Sequence, residues 1–145
     1  AKRIKEVSKA VLSKFGGDLA AVLALPKQDA REKLMELPGI GPKTADVLLA
    51  DRHGYREVFV VDTHMDRIAK RLGLVGPDAR YEDIQLALKN FLPMAKSERV
   101  GGLFWLLAKY TCRAQNPKCA ECLLNDACDY GKKTSPAGKS KRALR

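Results

Sequence analysis

Nothing in this sequence approaches a membrane span, and the N-terminal AKRIKEVSKA has charge but neither an apolar h-region nor a small-residue cleavage site. The expectation is a soluble, intracellular chain without a membrane partner. Internal repeats are missing, and β-structure has little to build on. Only Val58-Phe59-Val60-Val61 looks strand-like, and so short a run does not settle the matter. Cysteine does not occur before position 112, and acidic residues are absent from the last fifteen positions, GKKTSPAGKSKRALR. That basic stretch carries +6 of the +10 net charge, and its Gly, Ser and Pro content predicts a disordered arm over 131–145. It is either a solubilising tail or a nonspecific attractor of phosphate.

At 145 residues and 46% hydrophobic, the chain has enough apolar material for one core plus a metal-stapled lobe. Short helical patterns are separated by Gly and Pro. Ile4, Val7, Val11 and Phe15 mark one face of a first helix that stops at Gly16-Gly17. Asp29-Ala30-Arg31-Glu32 has the form of a capping box opening a second helix towards Leu37. Further patterns cover about Pro42 to Ala50, Thr63 to Leu72, Tyr81 to Phe91 and Ser97 to Tyr110. The fold class expected is all-α. Leu103, Phe104 and Trp105 read as core behind the cysteines in preference to a base-stacking platform.

All four cysteines, Cys112, Cys119, Cys122 and Cys128, fall within seventeen residues as C-x6-C-x2-C-x5-C. Such crowding points to one ligand set, and a reducing compartment argues against disulfides. Zinc sites usually pair their ligands as two short knuckles, whereas here only Cys119 and Cys122 form one. The reading therefore favours an iron–sulfur cluster over zinc, and either over two disulfides. Arg113 and Lys118, between the first two ligands, would be held out towards a phosphate backbone.

Leu37-Pro38-Gly39-Ile40-Gly41-Pro42-Lys43-Thr44 joins two helices through a glycine-rich turn and reads as a helix–hairpin–helix over about 31–50. Gly39 and Gly41 are suited to positive φ and Pro42 to the first helical position. The unpaired N–H groups that follow form an anion site for which a DNA phosphate is a natural ligand, bound without regard to base sequence. Lys43 lies in the first turn of that helix, where the dipole disfavours an ammonium. It is either a solvated contact to phosphate or, with its pKa lowered by the dipole and partial burial, a nucleophilic amine. Asp62 precedes a helix starting Thr63-His64-Met65, and is suited both to capping it and to facing a developing cation as an ionised carboxylate. His64 is either packed or orients a water or phosphate.

LPGIGPKTADVLL, VVDTH and the cysteine run, in that order, resemble endonuclease III, a base-excision glycosylase/lyase family of the helix–hairpin–helix superfamily that carries a [4Fe–4S] cluster. The resemblance extends from Ala1 to about Tyr130. It implies that Lys43 is the nucleophile, Asp62 the catalytic carboxylate and the four cysteines the cluster ligands, with Gly39, Gly41, Thr44, Arg113 and Lys118 contacting DNA. Lysine at position 43 separates the chain from the similar mismatch-specific branches and implies the bifunctional one. The implied substrates are double-stranded DNA with oxidised pyrimidines or abasic sites, and the implied location is the nucleoid. The alternatives are a monofunctional mismatch glycosylase and a noncatalytic DNA-binding fragment. Family chains begin upstream of a segment like AKRIKEVSKA, so about an N-terminal third is expected to be missing and to act as a partner in cis or in trans. The expected organisation is a helical domain over 1–110, a cluster loop over 111–130 and a basic tail over 131–145.

Overall fold

The computed structural model describes residues 2–53, 60–92 and 97–134. Among them the regular structure is helical, as the sequence predicts. The helices are α1 (Lys2–Phe15), α2 (Leu19–Leu23), α3 (Lys27–Met35), α4 (Pro42–His53), α5 (Thr63–Leu72), α6 (Tyr81–Phe91), α7 (Ser97–Tyr110) and α8 (Asp129–Thr134). Two 3-10 turns, Cys119–Glu121 and Asn125–Ala127, interrupt the cysteine loop. No helix among the described residues is long and apolar enough to cross a membrane. The chain forms two compact units, Ala1–Val60 and Val61–Arg145.

In the first unit α3 and α4 close on a core of Val22, Ala30, Leu34, Leu37, Ala45, Leu49 and Ala50, with Val11 and Phe15 of α1 packed against it. Leu34 and Leu49 are completely buried, and each such side chain contributes about 2 kcal/mol relative to exposure. Ile4, expected on the same face of α1, is 72% exposed. Arg31 Nε donates to Asp46 Oδ1 at 2.8 Å, a largely buried ion pair that ties α3 to α4.

α3 begins at Lys27, two residues before the capping box expected at Asp29. Pro26 is the N-cap without a side-chain cap bond, and Asp29 lies in the first turn. The proline has no N–H to extend the helix backwards, so it sets the boundary and leaves Asp29 inside. α2, capped by Asp18 Oδ1 accepting from the Ala21 N–H at 2.9 Å, is a helix the sequence patterns do not reveal.

In the second unit α5 is central and packs against α6, α7 and α8. Its Met65, Ile68 and Ala69 are buried at the i, i+3, i+4 spacing of one helix face, with Val61, Ile84, Leu88 and Ala108 completing the core. The cysteine loop packs inside this unit, so compactness divides the chain at Val60/Val61 while the sequence reading divides it by chemistry at 110/111.

Leu103 and Trp105 are 53% and 44% exposed, contrary to the expected core role. The inward face of α7 runs through Phe104 and Ala108, four residues apart, and Leu103 and Trp105 fall to either side of it. Residues 131–134, expected to open the disordered tail, continue α8, anchored by Lys132 N–H donating to Cys128 O at 2.9 Å. The rest of the tail, and Val58 and Phe59 of the strand-like run, lie outside the described residues.

Candidate functional site

The hairpin of the first unit is a type II turn. Pro38 and Gly39 occupy its central positions, and the Ile40 N–H donates to Leu37 O at 3.1 Å. Gly39 has φ +79°, which an L-residue adopts only with strain. Gly41 does not share the positive φ expected for it; its carbonyl instead accepts from the Ala45 N–H at 3.0 Å, the first bond of α4. Pro42 brings no donor, so the N–H groups of Lys43 and Thr44 stand at the helix mouth, where anions bind. Both side chains are exposed. The partial burial expected for Lys43 is therefore absent among the described residues. A Cβ added to Gly39 would lie 3.4 Å from Arg3 Cδ, so the Arg3 side chain rests against the turn, a neighbour that no local pattern reveals.

In the second unit Asp62 caps α5 as its residue type predicts. Its Oδ1 accepts from the His64 N–H at 2.9 Å and the Met65 N–H at 2.8 Å, while Oδ2 lies 3.2 Å from His64 Nδ1. Partial burial pushes the carboxyl pKa up, but the Met65 N–H and the His64 side chain outweigh it, so the net shift is downward from 3.8. A depressed carboxylate contributes stability above its unfolded pKa and loses it as pH falls through the folded value. Acid titration of unfolding should accordingly show the stability advantage of the parent over Asp62→Ala shrinking below about pH 4. An advantage that persists unchanged at pH 2 would show that the ionised cap is not its source.

The four cysteines line one hollow, shared with Arg71, Thr111, Pro117, Lys118, Asn125, Tyr130 and Gly131, enclosing about 270 Å³ of empty space that includes some open to solvent. Burial raises the Cys122 thiol pKa, and the neighbouring thiols Cys112, Cys128 and Cys119 raise it further. Yet among the described residues no three His, Cys, Asp or Glu side chains form a group that would hold a metal ion as they stand. A single tetrahedral zinc needs every sulfur about 2.3 Å from the metal, whereas a polynuclear cluster spans four more widely spaced thiols. The wall around the thiols is tightly packed. Gly131 brings its N–H within 3.4 Å of Cys128 Sγ, and a Cβ there would run into the Asn125 side chain. Asn125 Oδ1 is buried in the same wall with no partner.

Arg113 and Lys118 are both exposed on this loop. Each also has a local contact: Arg113 Nη2 donates to Asn116 O at 3.1 Å, and Lys118 Nζ lies 3.7 Å from Glu121. Sequence reasoning missed Arg67 and Arg71 of α5. Arg67 Nε donates to Cys112 O at 3.0 Å, and Arg71 reaches Cys112 Sγ, Arg113 O and Ala114 O. Their i, i+4 spacing marks one helix stripe, but nothing local shows what it faces.

A glycine turn opening a helix, an aspartate capping another helix and a four-thiol loop are the features on which the chain resembles helix–hairpin–helix proteins. Residues 1–94 match the family model described as HhH-GPD superfamily base excision DNA repair protein, and the chain belongs to that superfamily. It is similar to endonuclease III of Bacillus subtilis, at 32% identity over 98% of this chain and 61% of the relative. Endonuclease III of Thermotoga maritima is 35% identical over 90% of this chain and 56% of its own length. For endonuclease III-like protein 1 of Gallus gallus the figures are 33%, 91% and 44%. The chain thus spans little more than half the length of these bacterial relatives. A solved structure of a trapped endonuclease III–DNA covalent intermediate matches with a TM-score of 0.72 and 30% identity, over 91% of this chain and 58% of that one. A non-covalent endonuclease III–DNA complex matches with a TM-score of 0.71 at the same identity, over 91% and 57%.

Proposed function

We propose that this chain carries the catalytic core of a bifunctional DNA glycosylase and abasic-site lyase of base-excision repair, acting on oxidised pyrimidines and abasic sites. The observation that carries the reading is Lys43, facing solvent in the first turn of α4 directly after the Pro38-Gly39 turn. The open N–H groups of that turn, with Gly39, Gly41 and Thr44, bind a backbone phosphate irrespective of base sequence, and Arg113 and Lys118 add further charge. The similar endonuclease III structures captured with DNA, one of them as a covalent intermediate, support a lyase reading.

The target nucleotide is flipped out of the duplex, at a cost of a few kcal/mol that is smaller for a damaged, poorly paired base. As the glycosidic bond lengthens, the sugar gains positive charge, and the Asp62 carboxylate stabilises it. The Lys43 ammonium gives up its proton to solvent, and the free amine adds at C1′ as the base departs with the bonding electrons. Departure of O4′ from C1′ then opens the ring of that adduct to a protonated Schiff base, which on an already abasic sugar forms instead by amine addition to the aldehyde and loss of water. This acidifies the C2′ proton, whose removal expels the 3′ phosphate and cuts the strand. Cys112, Cys119, Cys122 and Cys128 would hold the [4Fe–4S] cluster. When bound, it supplies a rigid, redox-active centre that fixes the loop.

Borohydride trapping on abasic duplex tests the assignment. The parent chain should become covalently linked to DNA, and Lys43→Ala should yield no adduct. Retained trapping in Lys43→Ala would remove Lys43 from its role. Excision of a mispaired base without strand cutting or trapping would indicate a monofunctional mismatch glycosylase, and binding without excision a noncatalytic module.

A further inference from the structure

Arg71, in the last turn of α5, reaches the first and last cysteines of the loop. One terminal nitrogen donates to Cys112 Sγ at 3.3 Å and to Arg113 O at 2.7 Å, and the other to Ala114 O at 3.1 Å. The guanidinium lies over the Tyr130 ring, 4.6 Å from its centroid, and the Arg71 carbonyl accepts from Cys128 Sγ at 3.1 Å. The last contact belongs to the thiol form, because a ligating thiolate has no proton to give. The contact to Cys112 behaves in the opposite way and strengthens when the acceptor becomes anionic.

We infer that Arg71 is the positioning residue of the cysteine centre. Its planar fork ties the chain just after Cys112 to α5 and places a fixed positive charge against that sulfur. Lysine does not reproduce this, since an ammonium on a flexible stem lacks the rigid fork that spans several acceptors and the plane that stacks on Tyr130. Two consequences follow. The first is retention: groups that orient metal ligands typically control affinity by about 10- to 100-fold. The second is redox poise, because positive charge and N–H···S bonds favour the more negative, reduced state of an iron–sulfur cluster and raise its potential. This inference rests on the cluster reading of the four cysteines.

The test uses the full chain loaded with iron and sulfide, as the parent and as Arg71→Lys and Arg71→Met. Release of metal to a chelator, followed by loss of the visible absorption, should be on the order of 10-fold faster or more in both variants. The midpoint potential should fall in Arg71→Met and stay closer to the parent in Arg71→Lys, a pattern that loosening of the loop alone would not produce. Circular dichroism identifies a variant that fails to fold; if Arg71→Met does so, Arg71→Lys decides the retention. Parent-like release and potential in a folded Arg71→Lys and Arg71→Met would overturn the inference. If metal analysis of the parent gives zinc without iron or sulfide, the cluster reading and the redox half fall together, and the zinc release rates still decide the positioning half.

Discussion

Replacing Asp62 with asparagine is expected to slow base excision by about 100- to 1,000-fold while leaving the thermal stability close to that of the parent. The substitution separates the capping duty that the structure shows from the electrostatic duty proposed for the carboxylate. As a cap it accepts from the His64 and Met65 N–H groups through one oxygen, and asparagine presents an equivalent oxygen and ranks with aspartate at this position. As an electrostatic group it is held ionised by those same bonds, its pKa lowered in spite of burial. Asparagine supplies no charge to a developing sugar cation. Single-turnover excision from duplex containing an oxidised pyrimidine measures one duty, and thermal unfolding at neutral pH the other. Excision at the parental rate would leave Asp62 with the cap alone.

Gly73→Ala should produce the largest loss of stability, about 1–2 kcal/mol, lowering the melting temperature by on the order of 5 °C. Gly73 ends α5 with φ +83°, and its N–H donates to Lys70 O at 3.2 Å. A left-handed residue with a side chain costs about 1–2 kcal/mol there. The added Cβ would also meet the Asp129 carboxylate at the start of α8, but that is the far end of an exposed side chain, which can turn aside at little cost. In an Asp129→Gly background the effect of Gly73→Ala should therefore be nearly unchanged. A Gly73→Ala protein that melts with the parent would show that the left-handed cap carries no strain in solution.

The accuracy of the sequence reading varied with the range of the interaction concerned. The bounds of α5, α6 and α7 were legible because Asp62, Gly73 and the polar breaks act on their own neighbours. The start of α3 was misplaced because Asp29 and Glu32 mimic a cap, while the proline before them decides where the helix begins. Lys43 was found at the helix mouth that its turn predicts, but its exposure had to be seen. Trp105 looked like core because hydrophobicity does not reveal which stripe of α7 meets α5, and Gly41 looked like Gly39 because composition does not distinguish the two backbone conformations.

What the sequence by itself determined is the set of features made by residues close along the chain: the Pro38-Gly39 turn opening into Lys43, the Asp62 cap, and four thiols on one short loop. Their chemistry is carried by backbone donors and side chains a few bonds apart, which any fold containing these segments would bring together. Only the tertiary structure decided that Arg67 and Arg71 grip a loop more than forty positions away, that Arg3 rests on Gly39, and that Gly73 lies beside Asp129. Those relations arise when helix faces pack. A pattern of charges or glycines along the chain does not specify which partner such a face will meet.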